Sequence, residues 1–217
     1  MTLAIFDLDN TLLRGDSDHA WGQFLVERGL VDGEHYRREN ERYYREYQAG
    51  TLDIMEFLAF ALRPLAAHDR ATLEAWHREY MQTKVAPLIT GAARALVEKH
   101  RAQGHTLVVI TATNSFLTRP IARAFGVEHL IATEPEVRDG RFTGKVAGVP
   151  CYREGKVTRL NRWMAEHGES LDGSWFYSDS RNDLPLLSLV SHPVAVNPDA
   201  ILKREALARG WTILSLS

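Results

Sequence analysis

At 217 residues, with 45% hydrophobic and 25% charged side chains, the chain has the make-up of one globular core with room for a smaller insertion. Its 28 acidic residues nearly balance 26 basic ones and no basic stripe stands out, which excludes bulk attraction to nucleic acid or to an anionic membrane. The single cysteine, Cys151, excludes an intrachain disulfide and a CxxC pair, and is read as a bystander. Nine histidines are present, but none stands two, three or four residues from another; His100 and His105 are five apart, so no zinc site is expected.

The chain begins MTLAIFDLDNTLL, with no cationic stretch ahead of the apolar run and acids inside it. This fits neither a signal peptide nor a membrane span, and the cytoplasm is the expected compartment. Leu3–Leu8 is the first of five continuous apolar runs expected to form buried strands. From Asp16 to Val85 no convincing strand appears, and helix formers and aromatic residues dominate. Asp53 followed by Glu56 has the spacing of a helix-capping pair. Gly15 and Pro87 bound the region. Within it Tyr36, Tyr43, Tyr44 and Tyr47 fall near helical spacing and are read as a packing face. Arg63, beside Pro64, is read as a helix-end charge.

The remainder alternates. A helix over Gly91–Gln103 precedes a strand at Thr106–Thr111. A helix over Leu117–Phe125 precedes a strand at His129–Thr133. Asp139-Gly140, between alternating residues in Glu136–Val146, predicts a hairpin. A helix over Val157–His167 and a strand at Ser174–Ser178 follow, then a helix over Asp183–Val190 and a strand at Pro193–Asn197. Trp211–Leu216 is a sixth candidate strand. Such alternation predicts right-handed crossovers and a mainly parallel sheet, an α/β fold.

The segment Phe6-Asp7-Leu8-Asp9-Asn10-Thr11 carries the strongest chemical signal. Its two carboxylates sit at the end of a buried strand, and open α/β sheets place ligands at that edge. If the chain stays extended, Asp7 and Asp9 project to the same side and repel, a conflict that a hard oxygen-loving cation such as Mg2+ resolves. Thr111, at the end of a second strand, opens Thr-Ala-Thr-Asn and offers a hydroxyl beside free amides, a phosphate cradle. Lys156 supplies a cation after Glu154-Gly155. It does not belong to a nucleotide-binding P-loop, because Val157 stands where that motif needs Ser or Thr. Asp179 and Asp183, in Ser178-Asp179-Ser180-Arg181-Asn182-Asp183, add carboxylates after another buried run.

In this order the motifs resemble those of the haloacid dehalogenase superfamily. DLDNT is similar to its first motif, Thr111 to the second, Lys156 to the third and SDSRND to the fourth, and the likeness spans nearly the whole chain. The phosphoserine-phosphatase-like branch, with a helical cap between the first two motifs, is most similar, also at Asp139-Gly140-Arg141-Phe142-Thr143-Gly144. The resemblance implies a Rossmann-like core of residues 1–15 and 86–217 with a cap of residues 16–85. It implies a magnesium-dependent phosphatase in which Asp7 attacks phosphorus and Asp9 serves as acid and then base. Asp7, Asp9 (through its carbonyl), Asp179 and Asp183 are the implied metal ligands. Thr111, Ala112, Asn114, Lys156 and Asn182 are the implied contacts to phosphate or substrate, and Asp16 stands where the branch carries an acid that meets the substrate amine.

Two motifs depart from that branch. Thr111-Ala112-Thr113-Asn114 replaces Ser-Gly-Gly, and Ser178-Asp179-Ser180 replaces Gly-Asp-Gly; phosphoserine and histidinol phosphate are the candidate esters, and the lack of a well-placed arginine leans toward an amino-alcohol phosphate without a carboxylate. The expected partner is a small phosphate ester, and nothing in the sequence sets an oligomeric state. A phosphotransferase or phosphomutase of the same fold, and a non-catalytic phosphometabolite sensor, are the rival readings; retention of both Asp7 and Asp9 argues against the sensor.

Overall fold

The computed structural model describes residues 2–216. Six parallel strands form one sheet: β1 (Leu3–Phe6), β2 (Thr106–Asn114), β3 (His129–Thr133), β6 (Trp175–Ser178), β7 (His192–Val196) and β8 (Thr212–Leu214), in the order β3-β2-β1-β6-β7-β8. All six predicted strands are present. Their apolar runs are continuous because both faces of the sheet are covered. Ala4 and Phe6 of β1 enter one apolar cluster with α6 (Gly91–Ala102) and α7 (Ser115–Ala124). Leu3 and Ile5 enter the other, with α8 (Glu154–His167), α9 (Leu184–Leu187) and α10 (Ala200–Arg209). This period-two alternation puts β1 at the centre of the molecule, where burying one side chain such as Phe6 contributes roughly 2–3 kcal/mol.

Between β1 and β2 the chain is helical, as expected: α1 (Ser17–Glu27), α2 (Gly33–Ala49), α3 (Ile54–Ala61), α4 (Arg63–Ala67) and α5 (Arg70–Tyr80). The segments entering and leaving this insertion meet in an antiparallel bridge between Leu13 and Ile89. Asp16, Asp53 and Asp69 cap α1, α3 and α5 by accepting backbone N–H bonds. The pair at α3 is only half reciprocal: Asp53 caps, while Glu56 accepts from Arg42 and from the Tyr43 hydroxyl. The sheet's first apolar cluster continues without a break into Trp21, Phe24, Leu58, Leu73 and Tyr80 of the insertion.

The hairpin of β4 (Pro135–Arg138) and β5 (Arg141–Val146) turns at Asp139-Gly140, with φ of 50° and 76°. Both central residues take the left-handed conformation that a type I′ turn demands. Two elements differ from expectation. The helix expected over Asp183–Val190 is a 3-10 turn at Arg181–Asp183 followed by the short α9, with Pro185 in its first turn. Helix α10 was not signalled by periodicity, because Leu202 and Ala206 are buried while Leu207 faces solvent.

Candidate active site

Strand β1 ends at Phe6, and the N–H of Asp7 still donates to the Tyr177 carbonyl of β6 at 2.9 Å. The chain then leaves the extended conformation: Leu8–Leu12 forms a wide turn with Asn10 at φ 58°. This corrects the expectation that Asp7 and Asp9 project together from an extended strand. The two carboxylates line one pocket but are held by different partners.

Asp7 is buried and accepts from Lys156 Nζ at 2.7 Å. The same ammonium donates to Asp183 at 2.7 Å, and Asp183 also accepts from the Ser178 hydroxyl at 2.7 Å. Lys156 reaches this point because α8 starts tightly. Gly155 packs so closely that an added Cβ would lie 2.0 Å from the Pro150 carbonyl oxygen, and Arg153 ahead of it stands at φ 51°. Thr11 completes the floor. Its oxygen accepts the Asp179 N–H at 3.0 Å and lies 3.2 Å from Asp7 Oδ2 and 3.1 Å from Asp179 Oδ1. A hydroxyl has one proton, so it serves only one of those carboxylates at a time.

Asp9 Oδ1 accepts the Ser17 N–H at 2.7 Å, and Oδ2 accepts from the Thr113 hydroxyl at 2.9 Å. Thr111 is buried beside it, its hydroxyl accepting the Thr113 N–H at 3.2 Å, and Thr111, Ala112 and Thr113 all line the pocket. Burial pushes the Asp7 and Asp9 carboxyls up to about 7, Asp7 against the opposing pull of Lys156 and Asp9 with help from the Asp16 charge. Asp179 is raised well above the usual carboxylate range, by burial and then by the charges of Asp7 and Asp183.

Other candidates are engaged with the scaffold. Asn114 caps α7 by accepting the Leu117 N–H at 3.2 Å. Asn182 accepts from Tyr152 and Arg153, and its amide donates to the Tyr47 carbonyl in the insertion, each at 3.3 Å. For both residues the carboxamide oxygen therefore faces protein donors. Asp16 caps α1 through the His19 N–H at 2.8 Å and also lines the pocket.

The insertion supplies the rest of that lining with Asp18, His19, Tyr43, Tyr44, Tyr47 and Phe57 among others, and no lysine or arginine stands among its contributions. Tyr44 stacks on His19 with ring centroids 4.5 Å apart, and Tyr43 meets Phe57 edge-on at 5.4 Å. The tyrosines were expected only to pack. Their helical spacing was legible, but which face met the pocket was not. Thr113 has no role in the sequence reading, where the Thr-x-Thr repeat at 111–113 was the available signal; Asp18 is read there only as an acid that follows the hinge beside Asp16. Arg63 is exposed, as a helix-end charge should be, and Cys151 is buried, its thiol pushed up to about 12 by burial.

A metal ion is implied by the motif pattern. Among the described residues no three His, Cys, Asp or Glu side chains stand in a ready metal-binding group, and Lys156 bridges Asp7 and Asp183. The donor set nevertheless suits a hard divalent cation. Asp7 and Asp183, both buried, and the half-buried Asp179 bring three carboxylates against one ammonium, and the shared Thr11 proton cannot relieve the Asp7–Asp179 pair.

A family model for haloacid dehalogenase-like hydrolases matches residues 4–188. A histidinol-phosphatase of Neisseria meningitidis serogroup C is 51% identical over 217 residues, covering 98% of each chain. A phosphoserine phosphatase of Mycobacterium tuberculosis is 34% identical, over 97% of this chain and 69% of its own length. A crystal structure of a protein of unknown function from Bordetella pertussis is 48% identical, with a TM-score of 0.94 over the full length of both chains. A phosphoserine phosphatase captured as a phospho-aspartyl intermediate analogue shares the fold, with a TM-score of 0.73 at 18% identity over 100% of this chain and 93% of its own. The chain belongs to the haloacid dehalogenase-like hydrolases.

Proposed function

We infer that the protein hydrolyses an amino-alcohol phosphate through an aspartyl-phosphate, and that histidinol phosphate is the ester its pocket suits best. It is a phosphatase of its family. The observation that carries the substrate is the cap side of the pocket, where Asp16 and Asp18 stand among aromatic rings without a cation. Both esters carry an ammonium, but phosphoserine adds a carboxylate, which these acids would repel, where histidinol phosphate adds an imidazole. The 51% identical relative bearing the name histidinol-phosphatase supports the same choice.

In this reading Asp7 attacks phosphorus and the P–O bond to the alcohol breaks, leaving the phosphoryl group on the Asp7 carboxylate. Asp9, pushed up to about 7, is placed to give its proton to the departing alkoxide at neutral pH and then to take one from the water that cleaves the acyl phosphate. Thr111, the Ala112 backbone and Lys156 meet the phosphoryl oxygens as negative charge spreads over them. Magnesium would be held by Asp7, Asp179, Asp183 and the Asp9 carbonyl, and when bound it offsets phosphoryl charge. Residues 16–85 act as a cap over the core formed by 1–15 and 86–217, excluding water from the bound ester. No helix among the described residues is long and apolar enough to cross a membrane, and a small-metabolite ester fits a place in the cytoplasm.

The test is phosphate release with magnesium from histidinol phosphate, phosphoserine and phosphoethanolamine, for wild type, Asp7→Asn and Asp18→Asn. Wild type is expected to favour histidinol phosphate, Asp7→Asn to abolish turnover, and Asp18→Asn to lose that preference while still cleaving phosphoethanolamine. A wild-type preference for phosphoserine would overturn the substrate assignment, and full activity of Asp7→Asn the mechanism.

A further inference from the structure

The C-terminal end of α2 is gripped by the catalytic loops of the core. Arg153 Nη2 donates to the Gly50 carbonyl at 2.5 Å, and its Nε donates to Asn182 Oδ1 at 3.3 Å. The Asn182 amide donates in turn to the Tyr47 carbonyl. Arg181 lies flat against the same turn: a Cβ on Gly50, which sits at φ 64°, would fall 2.1 Å from its Nη2. The last carbonyls of a helix lack partners in their own helix and carry the negative end of its dipole, so guanidinium donors suit them.

Each side of this junction belongs to the reaction machinery proposed above. Helix α2 carries Tyr43, Tyr44 and Tyr47 into the pocket. On the core side Arg153 stands three residues before Lys156, and its own carbonyl accepts the Lys156 N–H at 3.0 Å. Its backbone, at φ 51° and ψ −121°, lies in a region that residues with a side chain seldom occupy. Such a conformation is retained where the surrounding structure requires it. Asn182 lies beside Asp183, which binds Lys156.

We propose that Arg153 is a positioning residue: by bonding the Gly50 carbonyl its side chain clamps the cap tyrosines over Asp7. The proposal rests on the reading that the cap pocket receives the leaving group. It assigns Asn182 to the same clamp, as the link between Arg153 and the Tyr47 carbonyl.

The experiment compares wild type, Arg153→Ala and Arg153→Lys, full-length and with magnesium. Histidinol phosphate is set against acetyl phosphate, which has neither ring nor amine to present to the cap. For Arg153→Ala, kcat/KM on histidinol phosphate is expected to fall about tenfold, mainly through KM, with acetyl phosphate changed less than about twofold. Amide hydrogen exchange over residues 47–51 is expected to quicken. Arg153→Lys keeps the charge but not the fork and restores part of the loss. Equal losses on both substrates, or exchange over 47–51 as slow as in wild type, would overturn the clamp. If wild type cleaves acetyl phosphate but not histidinol phosphate, the substrate reading fails and exchange alone decides: quickened exchange in Arg153→Ala upholds the clamp, and unchanged exchange refutes it. Should Arg153→Ala not fold, Arg153→Gln is judged by the same outcomes.

Discussion

Asp9 shows how much a single hydroxyl can decide. Its carboxylate is oriented by the Ser17 N–H on one oxygen and the Thr113 hydroxyl on the other. The first donor is backbone and survives any substitution except proline; the second is a side chain reached across 104 residues of sequence. A hydrogen bond to a charged group contributes roughly 1.5–3 kcal/mol, and a misplaced acid is slow to protonate its leaving group. Thr113→Val, nearly the same in shape, is therefore expected to lower kcat on histidinol phosphate by about 10- to 100-fold. Thr113→Ser should stay close to wild type. Steady-state kinetics on the two variants checks this, and equal kcat values would show that Ser17 alone suffices.

Among the elements, α3 is stabilised at its start by a cap rather than by its length. Asp53 accepts the N–H groups of Met55 and Glu56 at 2.9 and 3.1 Å, satisfying donors that eight helical residues cannot pair themselves. Asp53→Ala is expected to cost about 1 kcal/mol, which for a chain of this size lowers Tm by about 2–4 °C. Thermal unfolding with and without magnesium reads the shift, and activity at 25 °C should be unchanged because Asp53 lies outside the catalytic cluster. The Asp53–Glu56 spacing was visible in the sequence, yet Glu56 does not return the bond. Arg42 and Tyr43, from a different helix, offer it a charged partner and a hydroxyl instead.

For the molecule as a whole, His100 ties α6 to the centre of the sheet. It is buried, with Nε2 2.7 Å from the Tyr177 hydroxyl and Nδ1 2.8 Å from His105 Nδ1. Burial, reinforced by the charges of His105 and Lys99, holds its imidazole down at about 4. The unfolded chain titrates near 6.5, so below that pH it binds a proton that the native state does not. This contribution is present above pH 6.5 and is lost as pH falls toward 4. By pH 5 the loss amounts to about 1–2 kcal/mol. Urea unfolding at pH 7.5 and pH 5.0 should show wild type losing that much more stability than His100→Gln; parallel losses would refute the assignment.

At this same scale the division between sequence and structure is clear. The sequence alone determined the parallel sheet, the helical insertion, the Asp139-Gly140 turn and the order of the four motifs. Strand burial, turn conformation and motif chemistry are written in residues that stand next to one another. Only the tertiary structure decided that Lys156 bridges Asp7 and Asp183, that Thr113 bonds Asp9, that Tyr43, Tyr44 and Tyr47 line the same pocket as Asp7, and that Asn182 reaches the helical insertion. Those pairings join residues far apart in the chain, and local periodicity says which face of an element is apolar but not which distant side chain will meet it.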